Sequence, residues 1–127
     1  MYDLCDIRQI IVDLKKFEEQ LKQKTNVSLN EALCLCQTER GTTEPGALAR
    51  ILDISPSRLS RILDSLEQQN LIRRSISQTD KRVFTITLTD DGSALLAKLH
   101  CTSIAMPHHI EQAIETLHET MQTGDAL

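Results

Sequence analysis

Aromatic residues are nearly absent from this sequence, which has one tyrosine, two phenylalanines and no tryptophan in 127 residues. Proteins that recognise RNA or single-stranded nucleic acid commonly stack exposed bases on aromatic side chains. Three scattered aromatic residues cannot provide such a platform. RNA recognition through stacking is therefore disfavoured.

Long apolar stretches are also missing. No run approaches the roughly 20 apolar residues that a membrane-spanning helix needs. The first residues, MYDLCDIRQIIVDLKK, are charged and periodic, unlike the uninterrupted apolar core of a signal peptide. The four cysteines stand at positions 5, 34, 36 and 101. We therefore expect a reduced, cytoplasmic protein without a membrane role.

Motifs that carry enzyme chemistry are missing as well. The sequence contains no glycine-rich phosphate loop, no nucleophile elbow and no metal-plus-base motif. Cys34 and Cys36 would diverge by roughly 200 degrees on a helix, whereas zinc motifs usually separate paired cysteines by two or more residues. Another metal candidate is a group that could gather around Pro107, with His118 further along the chain, and it comprises His100, Cys101, His108 and His109. We expect no enzyme activity, metal or cofactor, and at least one of the paired cysteines in the core.

Charge is distributed unevenly along the chain. A length of 127 residues with 40% hydrophobic content fits a single domain. The net charge is -4, yet residues 50–82 contain seven cationic and four acidic residues, a local +3 that leaves -7 for the remainder. Attraction to phosphate depends on where charge lies. The middle of the chain is thus the candidate contact surface.

The first half of the sequence has helical periodicity. Apolar residues three and four apart predict an amphipathic helix over residues 3–24, which must bury its apolar stripe somewhere. Ser28 and Glu31 have the spacing of a capping box, which predicts a second helix ending near residue 41. Thr43 or Glu44 begins a short third helix, in which Pro45 is tolerated because a first-turn N–H has no helical partner. Its expected core face comprises Leu48, Ile51 and Leu52.

A fourth helix and a hairpin follow. Ser55 and Pro56 are typical of a helix start. Leucines and an isoleucine at helical spacing predict a buried stripe along residues 56–69, and Asn70 is expected to close the helix. Residues 71–76 and 83–88 have the alternation of paired strands, with SQTDKR as the hairpin tip. Thr89 then caps a helix to about residue 104, and a last amphipathic helix spans 108–122.

This order of elements predicts a mainly α protein with a small β-hairpin (α+β), a winged helix-turn-helix. On a helical projection, Arg58 and Ser60 lie on the flanks of the leucine stripe. The side chains opposite the stripe are Ser57, Arg61, Asp64 and Gln68. An exposed helix carrying arginine and serine fits the major groove of B-DNA, and its N-terminus carries partial positive charge toward a phosphate. A charged hairpin beside it, about residues 76–82, would reach the backbone or the minor groove.

At these residues the sequence resembles the MarR family of bacterial transcriptional regulators. LARILDISPSRLSRILDSLEQQNLIRR is similar to that family's paired helices and following strand, and TDKRVFTITLTDDG is similar to its wing. The resemblance implies a homodimer joined by terminal helices (3–24 and 90–122) around a core (28–89). It also implies binding to a roughly palindromic operator and release by a small-molecule effector or an oxidant. Asn70 stands where glycine is usual, and Lys81 where arginine is common.

The candidate DNA contacts lie on or beside the recognition helix, about residues 56–69, and the wing, about residues 76–82. They comprise Ser55, Ser57, Arg58, Ser60, Arg61, Arg74, Lys81 and Arg82. Arginines on a helix can instead form a solvated face, and Arg74 can pair with neighbouring acids. Asp80 is expected to hold Arg82 or the hairpin turn. Cys5 could be a peroxide-sensing thiol, as in some members of the resembled family, or an ordinary small residue at a helix start.

A second function class remains open, a winged-helix module that interacts with proteins and has lost DNA binding. The acidic remainder of the chain is compatible with it. Salt-dependent binding to duplex DNA separates the two classes, because phosphate contacts release counterions and affinity must fall as salt rises.

Overall fold

The computed structural model describes residues 3–76, 83–101 and 108–123, which form six helices and two strands. The chain divides into two compact units. One spans Thr25–Thr102, and the other is formed by Met1–Lys24 together with Ser103–Leu127. The described structure confirms the predicted fold class, a mostly helical chain with one antiparallel hairpin.

The larger unit contains four helices and the hairpin. In chain order these elements are α2 (Leu29–Glu39), α3 (Pro45–Leu52), α4 (Pro56–Gln68), β1 (Ile72–Ile76), β2 (Phe84–Leu88) and α5 (Asp90–Cys101). The predicted capping box begins α2, because the Ser28 side chain accepts from the Glu31 backbone and the Glu31 carboxylate accepts from the Ser28 backbone. Both bonds satisfy N–H groups that the first turn leaves without helical partners.

The ends of three helices have left-handed backbone. Asn26, Asp53 and Asn70 have φ of 61°, 52° and 59°, and they follow α1 (the first helix, Leu4–Thr25), α3 and α4. Asn and Asp tolerate this conformation better than most residues because their short side chains bond locally. The expectation that Asn70 closes the fourth helix, α4, is confirmed. The turn at Asp53 ends α3, and Ser55 caps α4 two residues later.

Leucine and isoleucine side chains from every element of the larger unit form one core. The fully buried members include Leu35, Leu48, Leu59, Leu63, Leu66, Ile72, Ile86 and Leu96. Burying one such side chain contributes roughly 1.5–3 kcal/mol. The leucine stripe of α4 therefore fixes which face of that helix points inward.

The expected core face of α3 is partly wrong. Leu48 is buried and Leu52 is half-buried, but Ile51 is 53% exposed. Ala49 takes part in the core instead. At about 100 degrees per residue, a face centred on Leu48, Ala49 and Leu52 leaves Ile51 about 100 degrees to one side.

The two strands pair antiparallel, from Ile72 opposite Leu88 to Ile76 opposite Phe84. The Ile86 backbone N–H also donates to the Thr43 carbonyl at 2.8 Å, which ties the hairpin to the segment before α3. The predicted tip, including Asp80, Lys81 and Arg82, lies outside the described residues.

Thr89 joins the hairpin to α5. Its hydroxyl donates to the Asn70 carbonyl at 2.6 Å and accepts from the Gly92 backbone N–H at 3.0 Å. A Cβ atom at Gly92 would overlap the Leu71 carbonyl, so the backbones approach too closely there for any other residue. Thr89 and Gly92, in the segment that resembles a MarR wing, thus have a packing role.

The smaller unit contains α1 (Leu4–Thr25) and α6 (His108–Thr123). An apolar groove of about 290 Å³ is lined by Ile10, Leu14, Ile110, Ala113, Ile114 and Leu117. Leu117 is 53% exposed and Met121 is 72% exposed, so much of this apolar surface remains accessible. No helix among the described residues is long and apolar enough to cross a membrane.

Candidate nucleic-acid interface

The first two turns of α4 present serine and arginine to solvent. Ser57, Arg58, Ser60 and Arg61 are all exposed, as is the capping Ser55. The Ser55 hydroxyl accepts from the Arg58 backbone N–H at 3.2 Å. Because Leu59 and Leu63 of the same turns are buried, the helix cannot rotate these polar side chains inward without exposing its core face.

The two arginines of this surface are without ion pairs in the part of the chain that the structure describes. Arg58 and Arg61 each carry a full positive charge, and the start of α4 adds roughly half a charge from its free N–H groups. A surface with these charges can attract phosphate or donate paired hydrogen bonds to a base edge.

Arg74 is held differently from Arg58 and Arg61. Its Nη2 lies 2.6 Å from Asp64 Oδ1, and its Nε lies 3.7 Å from Glu67 Oε2. The guanidinium carbon also lies 5.3 Å from the centroid of the Phe84 ring. These contacts match the alternative in which Arg74 pairs with acids, and they join β1 and β2 to the outer face of α4.

Glu31 makes a contact that sequence reasoning missed. One oxygen completes the capping box, whereas Oε2 accepts from Ser65 Oγ at 3.0 Å and from Gln69 Nε2 at 3.1 Å. Ser65 and Gln69 belong to the far end of α4 and to its C-cap. The separation of more than 30 residues leaves no local pattern that could have revealed the contact.

An open apolar pocket of about 620 Å³ lies beside α3 and α4. It is lined by parts of α3, α4 and β2, including Pro45, Ala49, Leu59, Leu63 and Phe84. Arg50 and Ser60 also line it. The volume falls in the range typical of small-molecule sites.

The cysteines occupy contrasting environments. Cys5 is exposed in the first turn of α1, Cys36 is half-buried and Cys34 is buried, which confirms that one of the neighbouring pair is a core residue. Burial, with a smaller contribution from the Glu31 charge, raises the pKa of the Cys34 thiol from 9.0 to about 11 despite its Thr38 contact.

The described residues do not bring metal ligands together. Among the described residues, no group of three or more His, Cys, Asp or Glu side chains could hold a metal ion. The side chains of His100, Cys101, His108 and His109, the group around Pro107, lie outside the described part.

Known proteins are similar to this chain in both sequence and fold. The MarR family model matches residues 27–84. YhbI, an HTH-type transcriptional regulator of Bacillus subtilis, is 27% identical over 110 residues, which is 86% of this chain and 71% of YhbI. The match includes the helix-turn-helix segment and the residues around it.

Two solved structures show how far the fold is shared. Reduced AbfR bound to DNA is 26% identical, with a TM-score of 0.70 over 97% of this chain and 92% of that one. A cysteine-to-serine mutant of E. coli MarR complexed with operator DNA is 20% identical, with a TM-score of 0.68 over 90% of this chain and 91% of that one. Residues 27–84 of this chain therefore match the MarR family, and the chain is similar in fold to MarR structures along most of its length.

Proposed function

We propose that this regulator binds a roughly palindromic operator as a homodimer, with α4 in the major groove and the hairpin tip, about residues 76–82, on the flanking backbone or minor groove. The observation that carries the proposal is the exposed serine and arginine surface on the first two turns of α4, opposite a buried leucine stripe. The DNA-bound relatives support this function over a protein-interaction module.

The proposed reading of DNA divides between base edges and backbone. The N-terminal half of a recognition helix enters the groove first, so Ser57, Arg58, Ser60 and Arg61 are the proposed contacts there. Arginine can donate two hydrogen bonds to guanine, and serine can reach base edges or phosphates. Ser55 and the helix start would lie against a phosphate.

The homodimer rests on the smaller unit. Its two helices expose Ile7, Ile11, Ile114, Leu117 and Met121, which is more apolar surface than a solvated helix pair normally carries. A second copy of the same surface would cover it through two-fold symmetry. Two recognition helices related by that symmetry require two half-sites, which is why the operator is expected to be palindromic.

Arg61→Ala tests base reading directly. If Arg61 contacts a guanine, this variant should lose about 1–3 kcal/mol on the operator and little on random duplex. The operator is the sequence that the wild-type protein selects from genomic DNA, and the measurement is fluorescence anisotropy over a salt series. Arg8→Ala, which removes an exposed arginine from α1, is the matched control. If Arg61→Ala and Arg82→Ala both leave operator affinity unchanged, the assignment of these surfaces to DNA is wrong.

The wing makes a different prediction. Arg82→Ala should weaken operator and random duplex by similar factors and lower the salt slope by roughly one unit per site, because its proposed contact acts through charge. Lys81 is proposed to act alike. Asp80→Ala should resemble a mild Arg82 defect, since the carboxylate is proposed to hold that arginine.

An effector could act on DNA binding by two routes, a small molecule or an oxidant. A small molecule in the 620 Å³ pocket would touch Leu59, Ser60 and Leu63 of α4, which supports an effect on DNA binding. An oxidant would act instead at the exposed Cys5. Operator affinity measured before and after hydroperoxide, in wild type and Cys5→Ser, tests the second route, and unchanged wild-type affinity removes it.

The proposed function also implies where in the cell the protein acts. A regulator without a catalytic step has to work where the chromosome lies, so we propose that the protein acts in the cytoplasm.

A further inference from the structure

The Glu31 carboxylate lies between the start of α2 and the end of α4. It is 7% exposed and accepts three hydrogen bonds, from the Ser28 backbone N–H at 3.2 Å, from Ser65 Oγ at 3.0 Å and from Gln69 Nε2 at 3.1 Å. Gln69 Nε2 also donates to Ser65 Oγ at 3.1 Å, so the two α4 side chains support each other.

Only part of this arrangement is explained by capping. A capping box uses one carboxylate oxygen, here Oε1, and that oxygen can remain solvated in an ordinary surface box. Burying a carboxylate is costly, and Glu31 forms no ion pair with any described residue. The two bonds to α4 compensate that burial, so they are part of how the helices are joined.

These bonds constrain α4 in a way that its leucines do not. Apolar contacts are non-directional, so the buried stripe fixes which face points inward but allows small tilts and shifts. Hydrogen bonds depend on distance and angle and therefore fix the helix end more narrowly. Ser57 lies 8–12 residues before Ser65 and Gln69, a distance of about 12–18 Å along the axis.

A small tilt at the Gln69 end of α4 displaces the Ser57 end of the helix. A tilt of about 5 degrees at the Gln69 end would move the Ser57 and Arg61 end by about 1 Å, given a rise of roughly 1.5 Å per residue. That displacement is large against the narrow distance range of a base-edge hydrogen bond. Phosphate contacts through flexible, charged side chains are less sensitive to it.

We propose that Glu31, acting through Ser65 and Gln69, is a positioning residue that sets the angle of the recognition helix and thereby the protein's discrimination between operator and random DNA. This inference rests on the proposed function of α4. Glu31 does not itself touch DNA in this proposal. Its loss should reduce discrimination by more than it reduces binding to random duplex.

A donor–acceptor exchange tests the link. Glu31→Gln keeps an oxygen for the Ser28 cap but turns an amide donor toward the Gln69 donor, and Gln69→Glu places two carboxylates together. Each single variant should lower the ratio of operator to random affinity by about fivefold or more, as expected when one base contact weakens. The double variant Glu31→Gln/Gln69→Glu restores one donor and one acceptor and should return the ratio to near the wild-type value.

Ser28→Ala is the matched control, because it removes the cap from α2 and leaves the contact with α4 intact. It should lower the melting temperature without changing discrimination. Affinities are measured by anisotropy, well below each melting temperature, on a duplex that the wild-type protein selects from randomised DNA. If Glu31→Gln fails to fold, Gln69→Leu, which leaves the capping box unchanged, makes the same test.

The outcomes separate the two proposals. A folded single variant with wild-type discrimination, or a double variant no better than the singles, overturns the positioning role while the proposed function stands. A wild-type protein that selects no duplex at all overturns the proposed function, and the positioning role with it.

Discussion

The two units of this protein use apolar residues in opposite ways. In the larger unit, leucines and isoleucines from four helices and two strands are buried within the unit itself. In the smaller unit, α1 and α6 leave residues such as Ile114 and Leu117 about half exposed. Similar side chains at similar helical spacing therefore have different outcomes.

The difference separates two sources of stability. Burial inside one chain acts at any protein concentration, whereas surface covered by a second copy contributes only where the copies associate. The larger unit should accordingly behave as an independent fold, and the smaller unit should depend on its proposed partner. Substitutions in each unit can test this contrast.

The largest effect is expected in the core. Leu35→Ala removes a fully buried side chain of α2 and should lower the free energy of unfolding by roughly 2–5 kcal/mol. Guanidinium unfolding at two protein concentrations measures the loss, which should be the same at both. Leu33→Ala, a partly exposed neighbour on α2, should cost less than about 1 kcal/mol. Equal losses at both positions would contradict the packing described for this helix.

A charge on α6 should act mainly on association. Leu117→Glu places a carboxylate in the apolar groove and should weaken the proposed dimer about 100-fold, or about 3 kcal/mol, because a charge would be buried between copies. Sedimentation velocity across a dilution series measures it. Gln112→Glu adds the same charge at an exposed position on α6 and should leave association unchanged. A wild-type protein that is monomeric at micromolar concentration would remove the dimer from the proposal.

The smallest effect concerns Cys34, a buried thiol of the larger unit. The folded state holds Cys34 protonated because burial raises its pKa from 9.0 to about 11. Its contribution is complete below pH 9 and is lost as pH rises toward 11, with about 1 kcal/mol lost at pH 10. Denaturant unfolding from pH 8 to 10 should show this component in wild type and not in Cys34→Ala.

Thiol alkylation provides the matching control. The exposed Cys5 should react in the native protein, whereas Cys34 should react only after unfolding. Rapid native alkylation of Cys34 would contradict its burial in the core.

Features that depend on neighbouring residues could be predicted from the sequence. The Ser55 cap, the leucine stripe of α4 and the left-handed end at Asn70 all follow from residue spacing, because helix geometry brings those groups together. The paired strands followed from alternation in the same way.

For features that join distant segments, the sequence did not identify the partners, although it offered pairing with acids as one alternative for Arg74. The Arg74 contacts with Asp64 and Phe84 require the hairpin to fold back on α4, and the Glu31 contact with Gln69 spans 38 residues. Periodicity does not encode which elements meet. The same limit explains Ile51, since the inward face of so short a helix depends on what packs against it.

The left-handed residues that end α1, α3 and α4 bear on how much heat the protein can withstand. Each places a side chain in a conformation that glycine adopts at lower cost, by roughly 1 kcal/mol. Both Asn70 and Asp53 are exposed, but Asn70 offsets some of this cost through its bond to Asp91, whereas the Asp53 side chain makes no hydrogen bond with another described residue. Glycine at position 53, which is exposed and outside the core, is therefore expected to raise the melting temperature.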